Sequence, residues 1–390
     1  MSNTLKLGNG KWATGKDTLL SFSDTNNNYK PLPFSFSRAS SATVVNKDGL
    51  IETVGSGEPR IDFKDNTKGA LKLEPSRSNL INYSEAISNT IVKSGNYADN
   101  FAISPDGTQN ATKLTATNTD PYFYQDLSFS AASYTASIYV KGIGNSIGKN
   151  FQIRLANNIY TDAIPSEWTR FEYTVTVTSG SASVGLEIPN PAVVGDEVLL
   201  WGWQLEQGSY ATSYIPTSGQ ANGVTRIADG CSQTTPDGVI GQTEGTMYAE
   251  IDFKSKPEAG SPIVGIMTLN NNVSNLQNCI LLGIERQSGG TNRFYPFIQV
   301  GNSTVAYIIG QTLTDGVYKV AFAYKQNDFI LYVNGVQIGT DNSGAVPTTS
   351  QVLVGKRYNS DTIKFSDGIK ETKLYNTRLS NSELAALTTI

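Results

Sequence analysis

Apolar and polar residues alternate along most of this chain in short runs, and each run stops at Gly, Asn, Pro or Asp. A period of two is that of a strand with one buried face. Between residues 80 and 217 it predicts strands in NATKLTAT, PYFYQDLSF, SYTASIYVKG, FQIRLA, EWTRFEYTVTV, ASVGLEI and DEVLLWGWQLE. It resumes at TMYAEIDF and continues through SPIVGIMTL, CILLGIE, RFYPFIQV, TVAYIIG, VYKVAFAYK, DFILYVNGVQIG, QVLVGK and GIKETKLY. Asn334-Gly335 predicts a two-residue type I′ hairpin, because both loop positions need positive φ. A helical signature appears at LSNSELAAL, where Ser380 and Glu383 have capping-box spacing.

The first 79 residues read differently. ATVVNKDGLIETV predicts a hairpin turning at Lys47-Asp48-Gly49, but the prolines of KPLPFSF and GEPRIDF interrupt any longer ladder. Too few apolar residues are present for a separate core, so this leader should lean on a neighbouring domain or on other copies of itself. The fold expected is all-β: an extended β leader over 1–79, a jelly-roll sandwich over 80–217, a small-residue linker over 218–239, and a second sandwich over 240–390 closed by one short helix.

Composition narrows the function. The net charge of -4 comes with no run of Lys or Arg, which argues against nucleic acid and anionic membrane as partners. No segment approaches the roughly 18 apolar residues of a membrane span, so solubility in the cytoplasm of synthesis is expected. Histidine is absent, which removes Ser-His and Cys-His nucleophile pairs and His-based zinc sites. Cys231 and Cys279 are far apart, outside any ligand spacing, and read as small buried hydrophobes. No cofactor is expected.

Aromatic positions are the candidate chemistry. Strict alternation puts Leu199, Trp201, Trp203 and Leu205 on one face, so both tryptophans read as core. Better saccharide-facing candidates are rings that share a face with polar side chains. In PYFYQD, Tyr122 and Tyr124 alternate with Phe123, on the face of Asp126. Tyr139, Arg154 beside Gln152, and Trp168, sharing a face with Arg170, extend this candidate surface if their strands are neighbours. The binding candidates are therefore Tyr122, Tyr124, Tyr139, Arg154 and Trp168.

FSFSRASSATVVNKDGLIETV, GEPRIDF, LKLEPSRSNLINYSE, WGWQLEQGSYATSYIPT and VTRIAD, in this order, resemble structural fibre and receptor-binding proteins of tailed bacteriophages, notably those of Bacteroidetes-type gut bacteria. The resemblance covers residues 1 to about 229. It implies that Leu80 to Thr217 is similar to jelly-roll carbohydrate-binding modules and that 240–390 is a laminin-G or concanavalin-like sandwich. It further implies a homotrimeric virion protein, attached to other virion proteins through its leader, whose distal domains meet host-surface polysaccharide. A capsid head fibre or decoration protein without a specific ligand is the alternative reading, and a polysaccharide depolymerase a further one.

Concanavalin-type glucanases carry a strand motif E-x-D-x-x-E, and AEIDFKS has Glu250 and Asp252 but Ser255 in place of the last Glu. A retaining glycosidase needs two carboxyls, so no enzymatic activity is expected. Laminin-G relatives often bind calcium, and Asp315, Asp341 and Asp367 lie in candidate turns. Turn chemistry accounts for all three, and no metal site is assigned.

Overall fold

The computed structural model describes backbone strands at 4–7, 12–14, 20–23 and 29–31, and then residues 34–390 except 66, 68, 91, 218, 221–222, 235–237, 257–261, 272–276, 288–290 and 359–362. The chain is all-β with one C-terminal α-helix. It divides into two units: Leu50–Thr53 with Arg77–Arg226, and Met1–Gly49, Val54–Ser76 and Ile227–Ile390. We call them the central and the C-terminal unit.

The central unit has two five-stranded antiparallel sheets. In one, the order is Val92–Ser94, Tyr122–Phe129, Gly180–Glu187, Asn150–Leu155, Asn158–Ala163. In the other it is Asn96–Ala102, Ala111–Thr115, Glu197–Gln207, Ala132–Ile143, Thr169–Val177. Alternate residues of both sheets, among them Phe123, Ile138, Phe151, Ile153, Leu186, Leu200 and Trp203, form one apolar core. The strands expected from alternation are present, and three more precede or follow them where short polar runs hid the period.

Alternation fails at one informative place. Ser137 pairs with Gln204 and Tyr139 with Trp201, so Gly202 and Trp203 of one strand stand opposite the single Ile138 of its neighbour. Gly202, at φ +67°, is the residue that accommodates this bulge. The two tryptophans consequently point to opposite faces, contrary to the strict-alternation reading. Trp203 enters the core, edge-on to Phe123 at 4.8 Å. Trp201 faces away from it, against Tyr214 at 4.4 Å and Tyr139 at 5.5 Å. Both are buried, at 1% exposure.

What covers Trp201 is the rest of its own motif. After Gln207 the chain turns back, and the buried Gln204 and Glu206 side chains catch it: Ile215 N donates to Gln204 Oε1 at 2.7 Å and Thr212 N to Glu206 Oε2 at 2.9 Å. Asn79 reinforces the return by donating to the carbonyls of Trp203 and Ile215 and accepting from Leu205 N and Ile81 N. Ser84 accepts from Thr217 N, while its own N–H donates to the Thr217 hydroxyl. Burial raises the Glu206 carboxyl above its ordinary pKa, against the pull of the Thr212 hydrogen bonds.

In the C-terminal unit an eight-stranded and a nine-stranded antiparallel sheet enclose a large apolar core that includes Met247, Ile251, Phe253, Leu282, Phe322, Leu331 and Val352. Asn334 and Gly335 have φ of 50° and 82°, and Val333 pairs with Val336, as a type I′ hairpin requires. The capping box is formed in full: Ser380 Oγ accepts from Glu383 N, and Glu383 accepts from Ser380 N. The helix Asn381–Thr388 lays Leu384 on Tyr248, Ala321, Ala323, Ile330 and Tyr332, on the outer face of the eight-stranded sheet.

Residues read as a leader and as a linker supply strands here. Ser35–Ser37 pairs with Gly230–Thr234, which pairs with Gln351–Val354. Ala70–Leu71 meets Ile369, Ile61–Asp62 adds beyond it, and Thr4–Leu7 pairs with Thr372–Tyr375. Ala42–Val45 and Ile51–Val54 are strands as expected, and Gly49 between them has φ +80°. In the central unit Arg77–Asn79 pairs with Val224–Arg226.

A buried ion cluster ties these segments down. Asp229, fully buried, accepts from Arg38 at 3.0 Å and from Arg60, and also from Glu74 N at 2.8 Å. Arg60 also holds Glu74 at 2.7 Å. Elsewhere in the unit, buried Asp367 lies 2.6 Å from Arg286 and 2.8 Å from Lys256. Burial pushes the Asp367 carboxyl upward, but the two cations outweigh it and hold its pKa below the ordinary value.

Three outcomes are expected. Asp229→Ala leaves two guanidinium groups buried without their shared anion and costs about 3–5 kcal/mol in denaturant unfolding; a loss under 1 kcal/mol would contradict this account. Trp203→Ala opens a cavity in the central core and costs about 3–5 kcal/mol. Because the folded pKa of Asp367 is depressed, its contribution is present at neutral pH and lost as pH falls through the folded value. Asp367→Asn, less stable than wild type at pH 7, should therefore show a flatter fall of melting temperature on acidification below about pH 4.

Candidate functional site

The face of the first central sheet that looks away from the core is where candidate residues converge. Phe123, Leu186 and Ile153 point inward, so their neighbours in sequence point outward. Register then sets two rungs across the sheet. One runs Val92, Tyr124, Gly185, Arg154, Ile159; the other runs Ser94, Tyr122, Glu187, Gln152, Thr161. Tyr122, Tyr124 and Arg154 are thus brought onto one face.

Tyr122 and Tyr124 stack, with ring centroids 5.4 Å apart and planes at 21°. Both are half-buried. Two strands across from Tyr124, Arg154 Nε contacts Glu187 Oε1 at 2.5 Å, and Asn190 Nδ2 donates to Glu187 Oε2 at 2.7 Å. Arg154 remains 46% exposed at its side chain, leaving the rest of the guanidinium fork facing water. Between Tyr124 and Arg154 the position is held by Gly185, where a Cβ would overlap the Phe123 carbonyl oxygen and Tyr124 Cβ. The result is an apolar shelf and a hydrogen-bonding rim of Arg154, Glu187, Gln152 and Asn190. This arrangement suits a ring with one apolar face and a polar edge.

Tyr139 and Trp168 lie elsewhere. Tyr139 sits in the second sheet, against Trp201, with the Arg170 guanidinium 5.7 Å from its ring centroid. Arg170 also donates to Thr212 O and to Ser137 Oγ, so its cation serves Tyr139 rather than Trp168. Trp168 precedes the strand Thr169–Val177, and its indole N–H donates to Ile103 O at 3.1 Å. Sequence reasoning put these two with the others because it could not know the strand order. It missed Gly185, Glu187 and Asn190, although the alternation of Val184, Leu186 and Ile188 already turns Glu187 outward.

The other acidic candidates are committed to cations or turns. Glu250 and Asp252 each lie 3.9 Å from a lysine, Lys370 and Lys254 respectively. Ser255 Oγ accepts from Asn292. Asp315 accepts from Ser255 N, and Asp341 from Ser343 and Tyr307 N. Asp367 serves two cations. Among the described residues no group of His, Cys, Asp or Glu is placed to hold a metal ion.

Residues 229–385 match the family model of the concanavalin A-like lectin/glucanases superfamily, of laminin G type. No curated protein matches the chain. Among solved structures, the CBM40 of the Ruminococcus gnavus IT-sialidase, bound to alpha2,3 sialyllactose, is 19% identical with a TM-score of 0.29, over 38% of this chain and 83% of that one. Tailspike protein 2 of an Escherichia coli O157:H7 bacteriophage is 17% identical with a TM-score of 0.32, over 44% of this chain and 24% of that one. Domain 4 of an extracellular arabinanase from Geobacillus stearothermophilus, in complex with arabinotriose, is 16% identical with a TM-score of 0.31, over 46% of this chain and 82% of that one. The C-terminal unit therefore carries a concanavalin-like sandwich.

Proposed function

We propose that this chain is a non-cleaving, glycan-binding protein of a bacteriophage virion, a fibre or receptor-binding protein that adheres to host-surface polysaccharide. The observation that carries the binding reading is the stacked Tyr122–Tyr124 shelf beside the Arg154–Glu187 pair, on one sheet face, with Gly185 between them. Assignment to a virion rests on the five ordered motifs of the sequence. A homotrimer fits both, since three weak saccharide contacts acting together raise binding by about 10² to 10⁴ without a new contact.

A non-cleaving mode follows from the same side chains. Hydrolysis of a glycosidic bond needs one carboxyl as acid and another as nucleophile or base. On the tyrosine face both carboxylate oxygens of Glu187 are occupied, one by Arg154 and the other by Asn190. The face therefore holds a sugar through ring contact and hydrogen bonds.

Retention of the purified protein on host capsular polysaccharide tests the reading. Tyr122→Ala/Tyr124→Ala should weaken retention by about tenfold or more, with a melting temperature close to wild type because the rings pack on each other outside the core. Retention unchanged by the double substitution would remove this face from the site. Release of reducing ends from the polysaccharide would overturn the non-cleaving mode.

A further inference from the structure

The nine-stranded sheet of the C-terminal unit carries a second aromatic cluster on the face turned away from its main core. Ile280, Leu282, Ile298 and Ala306 point inward; Cys279, Leu281 and Phe297 form a small group on the other side, with Tyr295 packed against it. Phe297 is opposite Tyr307 in register. Tyr295 stacks on Tyr307 at 5.9 Å and 29°, and meets Phe297 at 6.2 Å. Tyr307 is 50% exposed.

A cation completes the cluster. The Arg357 guanidinium carbon lies 5.1 Å from the Phe297 ring centroid. Its backbone is set by the end of the strand Gln351–Val354: Gly355, at φ +72°, donates to Ile266 O, and Thr268 Oγ1 donates to Lys356 O at 2.8 Å. Arg357 forms no ion pair with any described residue, whereas the nearby Arg293 is held by Glu285 at 2.7 Å. Burial lowers the Arg357 pKa from its ordinary value, and the groups opposing that shift are Cys279, Tyr358 and Tyr295, none of them a carboxylate. Cys279 is itself neutral, since burial pushes its thiol up to about 12. A partly desolvated guanidinium without an anion is costly, and an arriving carboxylate relieves that cost.

We propose that this face is a second saccharide site, selective for sugars that bear a carboxylate, with Tyr295 and Tyr307 covering the apolar sugar face and Arg357 receiving the carboxylate. Its scale suits a sugar: three rings and one guanidinium fall far short of the roughly 800 Å² per partner of a stable protein interface. The site stands on its own residues and does not rest on the Tyr122–Tyr124 reading.

Calorimetric titration of the full chain tests it, with hexamers of galacturonate and of sialic acid, each beside its carboxyl-reduced counterpart. At least one acidic hexamer should bind, and the reduced form should bind about tenfold more weakly or not at all. Arg357→Gln should lose a similar factor, and Tyr307→Ala should weaken binding with an unchanged melting temperature, because that ring is half exposed. Tyr122→Ala/Tyr124→Ala should leave this binding intact. Which hexamer binds separates a uronate from a sialate source; binding of both supports the shared carboxylate chemistry. The proposal falls if neither binds, if the reduced forms bind equally well, if neither Arg357→Gln nor Tyr307→Ala weakens binding, or if the Tyr122→Ala/Tyr124→Ala double abolishes it.

Discussion

Asp229 decides whether the C-terminal unit can hold its early segments. Its carboxylate receives Arg38, Arg60 and the Glu74 backbone N–H in a site closed to water. Each guanidinium brought there alone would cost several kcal/mol, and only the shared anion with good hydrogen bonds makes the burial tolerable. Arg38 spends its remaining donors on carbonyls of Ser40, Gly55 and Glu58. The cluster thereby fixes the course of three separate stretches near the start of the chain against one residue past its midpoint. Apolar contact is non-directional and could not have specified those positions so narrowly.

The same logic governs the central unit, with hydrogen bonds in place of ion pairs. Asn79, Ser84, Gln204 and Glu206 are all buried, and each satisfies a backbone group of the returning segment that covers Trp201. This explains why the stretches that stand out in the sequence, SRAS, EPRIDF, EPSRSN, WGWQLEQGSYATSYIPT and VTRIAD, are rich in charged and polar residues and yet bury Arg38, Arg60, Glu74, Asn79, Gln204, Glu206, Arg226 and Asp229. They are the polar fasteners of two sandwiches. Recognition motifs of this kind report a scaffold, while the residues proposed to face a saccharide lie in strands that carry no comparable motif.

How far the sequence could be read follows from that division. Strand existence was legible because alternation is local, and the Asn334-Gly335 turn and the Ser380–Glu383 cap were legible because their chemistry is complete within a few residues. Strand order was not, since pairing is long-range: Tyr124, Gly185 and Arg154 are joined only by register. Tyr139 and Trp168 were grouped with them for want of that information. The opposite facing of Trp201 and Trp203 was hidden in a single glycine, because a bulge shifts parity by one and leaves no apolar trace.

Both aromatic clusters owe their form to this rigidity. A ring laid on a sheet face has little freedom left to lose on binding: strand pairing on both sides fixes the backbone of Tyr122 and Tyr124, Tyr307 is paired on one side, and in each pair the adjacent ring limits the χ angles. Tyr122 and Tyr124 are two apart on one strand, whereas Tyr295 and Tyr307 come from different segments, yet both pairs reach nearly parallel planes. The polar partner distinguishes them. Arg154 is neutralised by Glu187 and offers hydrogen bonds without net charge, while Arg357 has Phe297 beneath it and no carboxylate beside it among the described residues. The two proposed faces therefore differ in whether the guanidinium is paired with a carboxylate among the described residues, as Arg154 is with Glu187 and Arg357 is not.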